Sequence, residues 1–184
     1  MATQAKDLLD NKALRIDNEN KVQVSNRGPA NVAKEAHIIF GPKDCGKTNT
    51  VCYIAQTLRA SYGTRQVTAV LNDTLLKEIL HVSIIDGDVG KCMGFSSKGD
   101  DLATVLNNTL SLCLSCSRIL VIAVRDVKQG ANAGMVAQVE SLCQKFGYGI
   151  QRHQLSQTPN SVPANGVNQA VASSIISSIQ QLVP

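Results

Sequence analysis

The chain has 184 residues, 43% of them apolar but only 3% aromatic and none tryptophan, so one domain with a core of Val, Ile, Leu and Ala is expected and disorder of most of the chain is not. Its net charge of +4, from 18 basic residues scattered among 14 acidic ones, permits contact with nucleic acid but draws no basic stripe. No positively charged leader precedes an apolar stretch, and no segment approaches the ~18 continuous apolar residues of a membrane span, so a soluble, cytoplasmic protein is expected.

Residues 1–36 read as an N-terminal arm or hairpin set apart from residues 37–184. They are rich in Asn, Asp, Lys and Gln, and "LRIDNENKVQVS" alternates apolar and polar residues on either side of a polar Asn-Glu-Asn. "NRGPAN" marks the boundary. Beyond it, short apolar runs at 37–40, 67–71, 81–86, 118–124 and 147–151 predict buried strands. Helical spacing falls between them. Val51, Ile54, Ala55 and Leu58 predict one helix, and Leu75, Leu76 and Ile79 a shorter one. Leu102, Val105, Leu106 and Leu110 predict a third, and Met135, Val136, Val139 and Leu142 a fourth. Val167, Val171, Ile175, Ile176 and Ile179 predict a last one, after the turn-rich connection "SQTPNSVPANG". Alternating strands and helices predict an α/β fold, a mostly parallel sheet of about five strands between two helical layers.

The six cysteines read as reduced thiols serving as small apolar side chains. Cys113-Leu-Ser-Cys116 has no second pair or histidine cluster to complete a zinc site, and no metal is assigned to it.

Chemistry concentrates in "HIIFGPKDCGKT", residues 37–48. An apolar strand runs into a glycine-bounded loop, and the loop into an amphipathic helix. Such a loop can turn its backbone N–H groups inward to cradle an anion, and the positive end of the helix dipole adds to that field. Lys47 is placed to reach the β- and γ-phosphates of a nucleotide, and the Thr48 hydroxyl to ligate a Mg²⁺ bridging the same oxygens. The cradle comprises Gly41, Pro42, Lys43, Asp44, Cys45, Gly46, Lys47, Thr48 and Asn49. Chance produces such a match in a chain of this length with a probability on the order of 1%.

A carboxylate is needed beside the cation. "HVSIIDGDVGKCMGF" offers Asp86 and Asp88 at the end of an apolar run, with Asp86 as the metal residue and both as catalytic residues alongside Lys47. The alternative for Asp86 is a plain Asp-Gly turn that ends a strand. Asp126, closing "RILVIAVRD", is a competing strand-end carboxylate for which a structural role is favoured.

With "GPKDCGKT" as its Walker A motif the chain resembles the P-loop NTPases. "SIIDGDVGKCMGFSSKGDDLATVLNNTL" and "SRILVIAVRDVKQGANAGMVAQVESLCQKFG" are similar to later segments of the ParA/MinD-type ATPases. That group carries a lysine directly after the first glycine of its loop, which reaches a nucleotide on a partner subunit. Here Pro42 stands in that place and Lys43 one residue later. The resemblance implies a P-loop fold and a Mg²⁺-dependent protein that binds and hydrolyses ATP. It leaves open a homo-oligomer and a nucleic-acid or protein partner. The guanine-reading Asn-Lys-x-Asp is missing from "AVRDVKQG", which favours ATP over GTP. Two alternatives stand beside an ATPase: a kinase of a nucleotide or small molecule, with Arg118, Arg125, Lys128 and Arg152 over the phosphates, and a nucleotide-gated binding module with little turnover.

Overall fold

The computed structural model describes residues 14–16, 22–24, 33–62, 65–67, 80–85, 88–115, 117–127, 130, 133–156 and 167–183. It divides into two units, Met1–Val32 and Ala33–Pro184. The first contains an antiparallel hairpin of β1 (Leu14–Ile16) and β2 (Val22–Val24), with Leu14 opposite Val24.

The second unit is an α/β layer structure. In chain order it contains β3 (Lys34–Gly41), α1 (Lys47–Tyr62), β4 (Arg65–Val67), β5 (Leu80–Ile85) and β6 (Asp88–Ser96). These are followed by α2 (Leu102–Leu114), β7 (Ile119–Arg125), α3 (Met135–Lys145), β8 (Tyr148–Gln154) and α4 (Gln169–Leu182). The strands form one sheet in the order β4-β5-β6-β7-β3-β8. β6, β7, β3 and β8 are mutually parallel, whereas β5 runs antiparallel to β6, and β4 antiparallel to β5. A four-stranded parallel sheet flanked by four helices is thus the core of the fold.

Strand alternation sends successive side chains to opposite faces. On β7, Ile119, Val121 and Ala123 join Ile54, Leu58, Ile175 and Ile179 under α1 and α4. Leu120, Ile122 and Val124 join Val105, Leu112, Met135 and Val139 under α2 and α3. Burial of each large aliphatic side chain contributes roughly 1.5–3 kcal/mol, and this two-sided burial is why β7 reads as an unbroken apolar run. None of the five cysteines whose side chains are described is in a disulfide, and Cys113 and Cys143 are hydrogen-bonded between α2 and α3. That bond and burial hold the Cys143 thiol well above its ordinary value.

Two expectations change. β6 is a central strand at residues where no apolar run predicts one. Gly90, Lys91, Gly94 and Ser96 interrupt its apolar pattern, and Gly94 is needed for packing: a Cβ there would lie 3.0 Å from Leu112, Leu120 and Ser117. β5, expected to point its C-terminal end toward the phosphate loop, is reversed, because only residues 86 and 87 separate it from β6 and Ile85 pairs with Asp88. The helix expected around Leu75–Ile79, residues 68–71 of an expected strand, and residues 157–166 lie outside the described residues. Among the described residues no helix is long and apolar enough to cross a membrane.

Candidate functional site

β3 and β7 are adjacent and parallel, with Gly41 opposite Arg125 at their C-terminal ends. From β3 the chain turns into α1 on one face of the sheet, and from β7 into α3 on the other. This divergence leaves a crevice beyond the carboxyl ends of the strands, the position where open α/β sheets take ligands. Residues 41–48 sit there.

The loop is fixed from both sides. A Cβ on Gly41 would lie 2.3 Å from the Leu155 carbonyl oxygen, so no other residue fits. The Gly41 carbonyl accepts from Asp126 N–H at 2.9 Å, and the Phe40 carbonyl from Leu155 N–H at 2.7 Å. Asp44 (φ 59°) and Gly46 (φ 87°) are left-handed, a conformation that Gly adopts freely and Asp tolerates. α1 then starts with two bonds to the Gly46 carbonyl, from Thr50 N–H at 2.9 Å and from its hydroxyl at 2.8 Å. The same hydroxyl accepts from Asn168 N–H at 3.0 Å, while Asn168 caps α4 by accepting from Val171 N–H at 3.1 Å. The first turns of α1 and α4 are thereby tied together.

A cavity of about 300 Å³ opens at this point. Residues 43–49 line one side, and Ser97, Gly99 and Asp100 the other. Lys47 is 8% exposed, and its ammonium donates to the carbonyls of Gly41 at 3.1 Å and Pro42 at 2.5 Å and to Cys45 Sγ at 3.6 Å. All three of its protons are engaged with neutral acceptors. An anion entering the cavity offers a stronger, charge-assisted bond in exchange. The Thr48 hydroxyl donates to the Ser97 carbonyl at 3.4 Å, which leaves its oxygen lone pairs for another partner.

Of the expected cradle, residues 43–49 line the cavity, and Gly41 and Pro42 lie behind it as acceptors for Lys47. The expected carboxylates fare differently. Asp86 lies outside the described residues. Asp88 opens β6, whose other end, Ser96, adjoins the cavity residue Ser97. On the partner strand Ser96 faces Leu80 and Asp88 faces Ile85, with an irregularity in the ladder between Ile84 and Ile85, so Asp88 stands roughly 17 Å away at about 3.3 Å per residue, toward the opposite edge of the sheet. Asp126 meets the loop through its backbone N–H and is not among the cavity-lining residues. The carboxylates in the cavity wall are Asp44 and Asp100, and sequence reasoning missed Asp100. The signal for it was "SSKGDD" immediately before a helix, where Asp101 is the N-cap, accepting from Thr104 N–H at 2.8 Å. Hydrogen bonding at Thr104 holds the Asp101 carboxyl below its ordinary value.

Among the basic residues considered for a kinase, Arg118 donates to the Ala33 carbonyl beside the start of β3. Arg152 makes a two-point bridge to Glu140 of α3 at 2.6 and 2.5 Å, which engages its guanidinium and raises its pKa. Lys128 lies outside the described residues.

No family model, curated protein or solved structure matches the chain.

A second buried polar group lies nearer the start of β3. His37, 1% exposed, stacks on His153 of β8 with ring centroids 5.4 Å apart and Nδ1 3.1 Å from the His153 Nε2. Its Nε2 faces Glu35 Oε2 at 3.6 Å, and among the described residues neither atom has a hydrogen-bond partner. Burial, and then the neighbouring His153, push the His37 pKa down to about 4.

Proposed function

We propose that the chain is a P-loop nucleoside-triphosphate-binding protein that takes ATP with Mg²⁺ and hydrolyses it. The single observation that carries this reading is the cavity at the divergence of β3 and β7, lined by a glycine-bounded loop that presents Lys47 and Thr48 at the start of α1. Its volume of about 300 Å³ is at the small end for ligand sites, in keeping with a triphosphate tail and a cation rather than an enclosed whole nucleotide.

The donor set fits a hard cation. Among the described residues no three His, Cys, Asp or Glu side chains cluster to cage a metal, but the Thr48 hydroxyl and the Asp100 carboxylate flank the same cavity. Mg²⁺ is commonly held by one or two carboxylates together with the substrate's phosphates, and it neutralises charge that develops on their oxygens. In this reading the N–H groups of residues 43–48 cradle the β- and γ-phosphates, and the positive end of α1 adds to the field. Lys47 trades its bonds to Gly41 and Pro42 for a phosphate oxygen. Thr48, with its proton on the Ser97 carbonyl, would offer a hydroxyl oxygen to hold the cation. Asp100 takes the cation-side role first given to Asp86.

Arg118 and Arg152 are engaged away from the cavity, so a kinase reading has lost two of its four phosphate-covering cations. Incubation with ATP, Mg²⁺ and candidate acceptors, followed by product analysis, separates the alternatives. Release of free phosphate alone is the expected result. A phosphorylated acceptor makes the protein a kinase, and bound, unchanged ATP makes it a nucleotide-gated module. Failure to bind ATP in a titration rejects the proposal.

A further inference from the structure

The wall of the cavity opposite the loop is the connection from β6 to α2, and it is held at several points. Asn108 of α2 donates to the Ser96 hydroxyl at 3.4 Å, the Thr48 hydroxyl donates to the Ser97 carbonyl, and Arg125 N–H donates to the Gly99 carbonyl at 2.9 Å. Asp101 closes the connection as the cap of α2. Between these ties Gly99 lies flat on β7. A Cβ on it would fall 2.0 Å from the Ala123 carbonyl oxygen, 2.8 Å from the Ala123 carbonyl carbon and 3.0 Å from Val124 Cα. These are backbone atoms of a buried strand paired on both sides, so they cannot yield.

We infer that Gly99 is a positioning residue for the cation side of the nucleotide site: its lack of a side chain lets the connection settle on β7 and so sets where Ser97 and Asp100 stand against Thr48. The inference rests on the nucleotide reading above. A methyl at position 99 drives the connection off β7 by an amount on the order of 1 Å, a misplacement large enough to disable a site that depends on orientation. The bonds of Lys47 to Gly41, Pro42 and Cys45 and those that start α1 at the Gly46 carbonyl do not involve Gly99, so the phosphate side keeps its frame while the Thr48–Ser97 tie loosens.

The measurement is the ratio of ATP affinity with Mg²⁺ to that in EDTA, on the full chain, for wild type, Gly99→Ala and Asp100→Asn, with circular dichroism as the folding check. Both variants are expected to reduce the ratio by about tenfold, the low end for residues that support a metal site. A purely structural role for Gly99 lowers both affinities together and leaves the ratio unchanged, which overturns the inference. A wild-type ratio in Asp100→Asn overturns it as well. If Gly99→Ala does not fold, one glycine inserted between Gly99 and Asp100 keeps the close contact with Ala123 while shifting Asp100 along the chain. That insertion is expected to reproduce the loss seen in Asp100→Asn, and a wild-type ratio there overturns the inference. Absence of ATP binding in wild type rejects the nucleotide reading and this inference with it, whereas normal binding with unaffected variants rejects this inference alone.

Discussion

The two edges of the sheet carry similar residues and face different tasks. At the carboxyl edge, "GPKDCGKT" and "SSKGDD" enclose a cavity at the point where the chain departs to opposite faces. At the amino edge, "IIDGDVG" supplies two glycines and two acidic residues that look equally apt for phosphate and metal, yet Ile85 pairs with Asp88 and the segment joins two antiparallel strands. A strand-end carboxylate therefore has meaning only once the direction of its strand is known. The same residue types line a cavity at one edge and fall between two antiparallel strands at the other.

The comparison breaks most visibly at Gly41. Gly41→Ala puts a methyl against the Leu155 carbonyl and is expected to cost about 3 to 4 kcal/mol in urea unfolding, since the backbone on both sides is fixed. An unchanged midpoint contradicts the claim that the carboxyl edge is rigidly framed.

Acid probes the interior away from the cavity. His37 is held to about 4 in the fold against 6.5 when free, so the fold favours its neutral form. The resulting stability is complete above pH 6.5 and is lost as pH falls from 6.5 through 4. The loss amounts to about 3 kcal/mol. Thermal melts across that range are expected to show it, and His37→Gln to flatten it. A wild-type slope in the variant assigns the acid sensitivity elsewhere.

At the cavity, Lys47→Ala removes the buried cation and is expected to weaken ATP binding by roughly 1.5 to 3 kcal/mol in calorimetric titration. Unchanged affinity in a folded variant removes the basis for calling the carboxyl edge a phosphate site. Thr48→Ala is a smaller and more selective change. It leaves ATP affinity in EDTA intact and lowers Mg²⁺-dependent phosphate release by about tenfold, because a metal ligand is lost while the cradle remains. Equal loss in both assays contradicts the role given to its hydroxyl. The smallest effect belongs to the amino edge. Asp88→Asn is expected to keep phosphate release within about twofold of wild type, because Asp88 opens β6 at the end remote from the cavity. A severe loss there overturns the contrast between the two edges.

Much of this was legible in the sequence where one physical signal acted alone. The run from Ile119 to Val124 is buried on both faces and stays apolar at every step, and α1 and α3 keep their helical spacing because each buries a single stripe. The glycine-bounded loop was legible because a close backbone approach leaves only glycine. β6 was not, since Gly94 answers to Leu112, Leu120 and Ser117, neighbours from elsewhere in the chain that no local pattern shows. The reversal of β5 had a readable sign. Asp86-Gly87 is a two-residue link between apolar segments, the composition of a hairpin, but the same residues also suit a metal carboxylate at a strand end. Asp100 went unread for the opposite reason: an exposed acidic residue before a helix looks like a cap, and its neighbour Asp101 is one.

The strand that carries the loop makes its ladders with β7 and β8, which begin at Ile119 and Tyr148, far along the chain from Lys34. Contacts of such sequence separation require large loops to close before the ladders reward them, so assembly of this sheet is slow compared with that of a helical bundle. During synthesis the loop of residues 41–48 leaves the ribosome before the strands that frame it. Until β7 and β8 are made, Ile38, Ile39 and Phe40 remain an unpaired apolar segment, open to holdase chaperones and to aggregation with other unfinished copies. A ligand that binds only the finished sheet, as nucleotide does in the proposed reading, stabilises it by mass action but offers no help to the chain while it is being made.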